Sequence, residues 1–260
     1  MSGGRTVHPR SQRVPLALRP LRAAWRLARA TVHVLRGALI VATRFGSIDA
    51  AARTQHVQRW SARFLRLLGV SLLVQGTPRP GAKLLVANHI SWLDILAIDA
   101  VVPARFVSKA DVRRWPVLGW LASASGTLYI ERERPRDALR VVHQMAEALQ
   151  AGDTLAVFPE ATTGDGRALL PFHANLLQGA IATQTPVQPV ALRFFDAEHA
   201  ISPAVEFLGD TTLLQSLWRV ACAQGLGVSV HVLPAQAVAH ADRRRLAERL
   251  RDEIATVLGG

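Results

Sequence analysis

Lys83-Leu-Leu-Val-Ala-Asn-His-Ile-Ser-Trp-Leu-Asp94 couples two kinds of pattern. An apolar strand over 83–87 stops at Asn88, and the spacing over 91–100 predicts a helix. The alternation recurs downstream. Strands are expected at 70–74, 105–108, 127–130, 154–158, 187–194 and 228–232. Helices are expected over 112–121 with a break at Pro116, over 137–149, over 175–183 and over 242–257. In 137–149, Leu139, Val142, Met145, Ala146 and Leu149 fall at helical steps. Strands interleaved with helices predict an α/β sheet with helices on its faces.

Upstream the texture differs. Residues 1–20 show no periodicity and are expected to be a disordered start. Over 21–44, Arg22, Arg26, Arg29, His33 and Arg36 recur at steps of four and three, one stripe of a helix. Arg59, Arg63 and Arg66 repeat the spacing beside Trp60, Phe64, Leu67 and Leu68. Residues 21–69 are therefore expected to form an amphipathic helical hairpin lying on anionic lipid, and 70–260 a single further domain. The uncharged run 37–43 is far short of the ~20 residues a spanning helix needs. No secretory signal is expected, for lack of an uninterrupted apolar region before a cleavage-like site.

The chain has 260 residues, half of them apolar, with 31 basic and 19 acidic side chains and a formal charge of +12. That composition excludes a disordered chain, and the single cysteine, Cys222, excludes an internal disulfide and a cysteine-based zinc cluster. All but two of the basic residues (Lys83 and Lys109) are arginine. Such a balance points to an anionic partner: nucleic acid, a membrane surface or a phosphorylated substrate.

Four stretches can carry chemistry. In Asn88–Asp94, His89 is a potential general base and Asp94 a carboxylate able to fix its tautomer. Five residues along one helix are about 140° apart in azimuth. Contact therefore requires His89 in the loop and Asp94 in the helix's second turn, with Asn88 or Ser91 as the cap. Taken alone, the stretch is equally a capped helix with a surface histidine. Gly126-Thr-Leu-Tyr-Ile-Glu-Arg132 ends a strand on a guanidinium able to grip phosphate, though taken alone it reads first as a solvated arginine. Phe158-Pro-Glu-Ala-Thr-Thr-Gly-Asp-Gly166 leads from a buried strand into Glu160 and a polar turn whose amides can face an anion. Thr185-Pro-Val-Gln-Pro-Val-Ala-Leu192 starts a strand between two prolines, which suits an edge position.

In this order, the four stretches resemble the glycerolipid acyltransferase family, whose blocks are N-H-x4-D, G-x-x-F-I-x-R, F-P-E-G-T-R and V-P-V/I-x-P-V. The likeness covers roughly 72–194. It implies a mixed sheet flanked by helices, like that of glycerol-3-phosphate acyltransferase, behind a membrane-attachment hairpin. It also implies that His89 deprotonates the acceptor hydroxyl while Asp94 holds it, and that the hydroxyl attacks an acyl thioester without an acyl-enzyme. Gly126, Arg132, Glu160, Thr162 and Lys109 would line the acceptor site; Pro189 and Val187 would border the acyl chain. The implied reaction makes phosphatidic acid from 1-acylglycerol-3-phosphate, with lyso-ornithine lipid as the alternative acceptor. No cofactor and no metal are implied. The co-substrate is an acyl carrier protein or coenzyme A thioester, the partners are membrane lipids, and the place is the cytoplasmic face, with peripheral or monotopic attachment.

Two departures stand out: Ala161 replaces the family's usual glycine, and Thr163 replaces an arginine associated with the acceptor phosphate. Arg132, Lys109 and Arg167 are the nearest substitutes. A nucleic-acid binder is not expected, because basic residues are not interleaved with exposed aromatics and no recognition module is legible. A zinc hydrolase is disfavoured, since the nine histidines offer no pair spaced for one helix face. A non-catalytic membrane protein of the same fold would not need the intact His/Asp pair.

Overall fold

The computed structural model describes residues 15–130 and 135–259. In chain order, α1 (Arg19–Arg44) and α2 (Ala50–Leu68) lead into β1 (Ser71–Gly76), β2 (Lys83–Ala87), α3 (Leu93–Val101), β3 (Arg105–Lys109), α4 (Leu118–Ala124) and β4 (Leu128–Ile130). Then come α5 (Pro135–Gln150), β5 (Thr154–Val157), α6 (Gln178–Ala182), β6 (Val187–Phe195), α7 (Leu213–Cys222), β7 (Gly227–Val232) and α8 (Arg243–Gly259). Single 3-10 turns precede α1, α4 and α6. The expected disordered start is corrected at its end: Leu16–Leu18 form such a turn and α1 begins at Arg19, with Pro20 in its first turn.

The seven strands order as β1-β7-β6-β2-β5-β3-β4. From β6 to β4 neighbours are parallel, β7 runs antiparallel to β6, and β1 is parallel to β7. The sheet is thus mixed and flanked by helices. Period-two alternation divides the core. Leu85 and Ala87 face α2, α3 and α7, together with Phe64, Leu65, Leu68, Leu93, Ile98 and Val220. Leu84 and Val86 face the other way, with Met145, Leu149, Ala180 and Leu250 of α5, α6 and α8. A fully buried leucine such as Leu85 contributes roughly 2 kcal/mol.

Three sequence expectations change. β6 is an interior strand, not an edge, despite Pro186 and Pro189. Its ladder to β7 begins only at Val190↔Val232, so the missing N–H of Pro189 falls outside it, while the Pro189 carbonyl accepts from Leu233. On α5 the buried stripe is Val141, Met145, Ala148 and Leu149, and Leu139 is exposed. The third change concerns the hairpin. Its inner face belongs to the main core through Ala30, Phe64, Leu65 and Leu68, so packing does not break at residue 69.

α1 and α2 interlock where His33 stacks on Trp60 with ring centroids 5.2 Å apart. Trp60 Nε1 donates to the His33 carbonyl, and His33 Nε2 contacts the Trp60 carbonyl at 3.0 Å. Gly37 makes the approach possible: a Cβ there would lie 2.4 Å from the Trp60 indole nitrogen. The arginine stripe expected along α1 splits. Arg22 and Arg26 turn inward and donate to carbonyls of residues 221–223 at the end of α7, where unpaired carbonyls and the helix dipole favour a cation. The outward face of α1 carries Leu21, Trp25, Val32, Leu35 and Leu39, all exposed, beside the exposed Arg29 and Arg36. Among the described residues no helix is long and apolar enough to cross a membrane.

One buried acid makes stability pH-dependent. Asp99 on α3 accepts the Ala104 amide at 3.1 Å, yet burial pushes its pKa from 3.8 up to about 8. The folded state therefore favours the protonated acid. Its contribution is complete below pH 3.8 and is lost as pH rises to about 8. Thermal melting is expected to fall by several degrees between about pH 5 and about pH 9. Asp99→Asn, which keeps the Ala104 bond, should flatten that slope; an unchanged slope would show that Asp99 is not its source.

Candidate active site

The parallel strands β2, β5, β3 and β4 end on one rim of the sheet, and the chain leaves β2 there as Asn88-His89. Asn88 clasps β6 through both ends of its amide. Its Nδ2 donates to the Leu192 carbonyl at 2.9 Å and its Oδ1 accepts the Leu192 N–H at 2.7 Å. This fixes the point where strand gives way to loop. α3 begins only at Leu93, so His89 lies in the loop and Asp94 in the first helical turn, not the second.

Asp94, fully buried, is the hub. Its Oδ2 sits 2.7 Å from His89 Nδ1 and accepts the amides of Ile90 (2.6 Å) and Ser91 (2.9 Å). The cap is therefore an acid reaching back onto the loop, rather than Asn88 or Ser91 reaching forward. Asp94 Oδ1 and the buried Ser91 hydroxyl have no hydrogen-bond partner among the described residues. The imidazole stacks on Phe158 (centroids 4.1 Å apart, 12° between planes), and Phe158 in turn on Phe106. With Nδ1 held by Asp94, Nε2 has no partner among the described residues, and the side chain keeps one-fifth of its exposure.

Glu160 differs from its expected role at the acceptor. One carboxylate oxygen accepts the His89 amide at 2.7 Å, the other the Leu170 amide at 2.8 Å, and the side chain is buried. Burial raises its pKa, against the lowering effect of those two amides. Glu160 thus positions the histidine loop against the turn that follows β5. The same turn is tied down by the Gly164 amide donating to the His89 carbonyl at 2.8 Å.

Both departures from the family pattern lie in that turn, and nothing in the structure explains the first. Ala161 has φ +62°, a left-handed conformation that costs a non-glycine residue roughly 1–2 kcal/mol. Ala161→Gly is expected to stabilise the fold by about 1 kcal/mol, raising Tm by about 2–4 °C. A lower Tm on scanning calorimetry would show that the turn is not strained at this position. The Thr163 hydroxyl donates to the Phe207 carbonyl, and Thr162 is exposed beside it. Arg167 is shared between Asp165 (3.7 Å) and Glu206 (3.8 Å).

The remaining expected site residues separate. Lys109 lies exposed at the end of β3, on the same rim as His89. Arg132 lies outside the described residues. Gly126 is at the opposite end of the sheet, before β4. Its φ is +79°, its carbonyl accepts Arg105 Nε at 2.9 Å, and a Cβ would lie 2.7 Å from that nitrogen. Arg105 also pairs with Asp153, so Gly126 serves the base of the sheet rather than the acceptor. Val187 is fully buried, paired with Leu84 at the start of β2, and Pro189 is buried opposite Val86. Neither reaches the rim; β6 meets the site at Leu192.

Sequence reasoning missed Phe158 as the stacking platform, Asn88 as the clasp, and α7. Trp92 Nε1 donates to Ser216 of α7 at 2.9 Å and its ring meets Phe64 of α2 edge-on, so α7 and the hairpin both brace the loop. The signal for α7 was present in the Thr212-x-x-Gln215 capping box.

Residues 73–193 match the family model described as Acyltransferase. The chain is 38% identical over 180 residues to the 1-acyl-sn-glycerol-3-phosphate acyltransferase of Neisseria gonorrhoeae, covering 69% of this chain and 70% of that one. It is 35% identical over 223 residues to the lyso-ornithine lipid O-acyltransferase of Pseudomonas aeruginosa, covering 84% of each. Its fold matches the crystal structure of the 1-acyl-sn-glycerophosphate (LPA) acyltransferase, PlsC, from Thermotoga maritima. That match has a TM-score of 0.71 at 20% identity and covers 92% of this chain and 94% of that one.

Proposed function

The chain belongs to the acyltransferase family, and on that premise we propose that it moves a fatty acyl group from an acyl thioester to the free hydroxyl of a lysolipid at a membrane surface. The observation that carries the proposal is His89 Nδ1 held at 2.7 Å by buried Asp94. That contact leaves Nε2 as the free basic atom. Nε2 takes the proton of the acceptor hydroxyl as its oxygen attacks the thioester carbonyl carbon. Asp94 stabilises the imidazolium that forms. The tetrahedral intermediate collapses, the C–S bond breaks, the imidazolium returns its proton to the departing thiolate, and an ester remains. No acyl-enzyme intervenes. The Ser91 hydroxyl is fully buried, and Cys222 lies at the end of α7, where Arg22 binds its carbonyl.

The acceptor we propose is 1-acylglycerol-3-phosphate, giving phosphatidic acid; exposed Lys109 on the His89 rim supplies a charge for its phosphate. One observation favours a second reading, lyso-ornithine lipid. The position of the third-block arginine is Thr163, whose hydroxyl is spent on a backbone carbonyl, and nearby Arg167 is shared by two acids. An acceptor panel separates them. Purified protein with one acyl thioester is offered lysophosphatidic acid, other lysophospholipids and lyso-ornithine lipid, and products are read by mass spectrometry. Phosphatidic acid is expected. Ornithine lipid alone would move the assignment to the second reading, and no ester with any acceptor would end it. The donor is an acyl carrier protein or coenzyme A thioester, which places the site on the cytoplasmic face, where such thioesters are supplied. Attachment is peripheral or monotopic, through the exposed apolar face of α1.

A further inference from the structure

An open groove of about 250 Å³ runs between α1 and α2, walled by Trp25, Arg29, Val32, His33, Arg36 and Arg63. None of these residues belongs to the His89 rim. The three guanidiniums here differ from their neighbours. Arg22 and Arg26 are spent on the end of α7, and Arg53, Arg59 and Arg66 bond Ile48, Gln55 and Ala62 of their own segment. Arg29 overlies the Trp25 ring at 5.8 Å. No ion pair among the described residues involves Arg29, Arg36 or Arg63. No acid is close in sequence either. Asp49 is the only acidic residue before Asp94, and it caps α2 by accepting the Ala52 amide.

Burial holds the His33 ring below its usual pKa; the Trp60 carbonyl opposes that shift, and the charges of Arg63 and Arg36 add to it. Three like charges in one groove repel unless an anion joins them. Phosphate oxygens match the guanidinium fork. The groove opens beside Trp25 and Val32, which continue the exposed stripe of Leu21, Leu35 and Leu39. An anion seated here would have apolar surface alongside it.

We propose that the groove between α1 and α2 binds the phosphate of an anionic phospholipid in the bilayer surface, with the lipid chains lying against the exposed face of α1. The groove thereby fixes how the chain sits on the membrane, independently of the acceptor bound at His89.

The test is vesicle co-sedimentation of the full chain without acyl donor, so the outcome does not depend on turnover. Vesicles are phosphatidylcholine alone or phosphatidylcholine with phosphatidylglycerol. R29Q/R36Q/R63Q is compared with R53Q/R59Q/R66Q, which removes the same charge from the same hairpin. The wild type is expected to prefer the anionic vesicles. The groove variant should lose roughly a hundredfold of that affinity, about fivefold per single substitution, and the control variant about threefold. Equal losses in the two triple variants would assign attraction to diffuse charge and overturn the site, as would indifference of the wild type to phosphatidylglycerol. Inorganic phosphate serves as the soluble arm. If it raised Tm in the wild type but not in the groove variant, while both bound vesicles alike, the groove would hold a soluble phosphate and the bilayer assignment would fail.

Discussion

His89→Ala is expected to lower acyl transfer by roughly 10²–10⁴-fold, the range that one positioned general base contributes. The loss should fall on turnover, because the side chain meets the acceptor only through the proton it removes. The fold should survive. The imidazole is partly exposed, and its removal still leaves Asp94 Oδ2 with the Ile90 and Ser91 amides. The stacked pair with Phe158 is lost, at a cost of about 1 kcal/mol. Steady-state kinetics beside a thermal melt separates the two effects. Near-wild-type turnover in a folded variant would count against the mechanism.

Asp94→Asn tests the carboxylate separately. Asp94 Oδ2 serves three donors at once: the His89 Nδ1–H and two loop amides. A carboxamide oxygen can still accept the Ile90 and Ser91 amides, so the loop is expected to hold. The carboxamide gives no negative charge to an imidazolium. If its N–H₂ turns to His89 Nδ1, the proton moves to Nε2, and the basic lone pair no longer faces the acceptor. Turnover should therefore fall by roughly 10²–10⁴-fold with KM little changed. Asp94→Ala differs in kind: it leaves the two buried amides unpaired, so it should also lower Tm. If Asp94→Asn kept normal turnover, Asp94 would have only the structural task of holding the loop.

Most strands were legible because buried parallel strands read as short apolar runs between turn residues, as at 83–87 and 154–158. Helical azimuth showed only that a His/Asp contact requires His89 off the helix; the contact itself was implied by the resemblance of the four stretches taken together. What local pattern could not carry was every residue whose partner is distant in sequence. Gly126 reads like a rim residue until Arg105, 21 residues away, is seen filling the space beside it. Glu160 reads as a ligand-binding acid until the amides of His89 and Leu170 take both its oxygens. Pro189 argues for an edge by its missing donor, and only the register of β7 shows that no bond was required there. Arg22 and Arg26 share a periodic stripe with Arg29 and Arg36, but the end of α7 selects the first two. Periodicity locates a face; tertiary partners decide what that face does.

In the proposed mechanism Asp94 holds a proton on Nδ1 and leaves Nε2 of His89 bare to receive one from a lipid alcohol. Nitrogen-15 NMR of histidine-labelled protein, with His89 assigned through His89→Ala, reads that arrangement directly at the pH of the transfer assay. A protonated Nδ1 and an unprotonated Nε2 are expected, the pattern shifting in Asp94→Asn. A proton found on Nε2 of the wild type, with Nδ1 bare against the carboxylate, would contradict that mechanism.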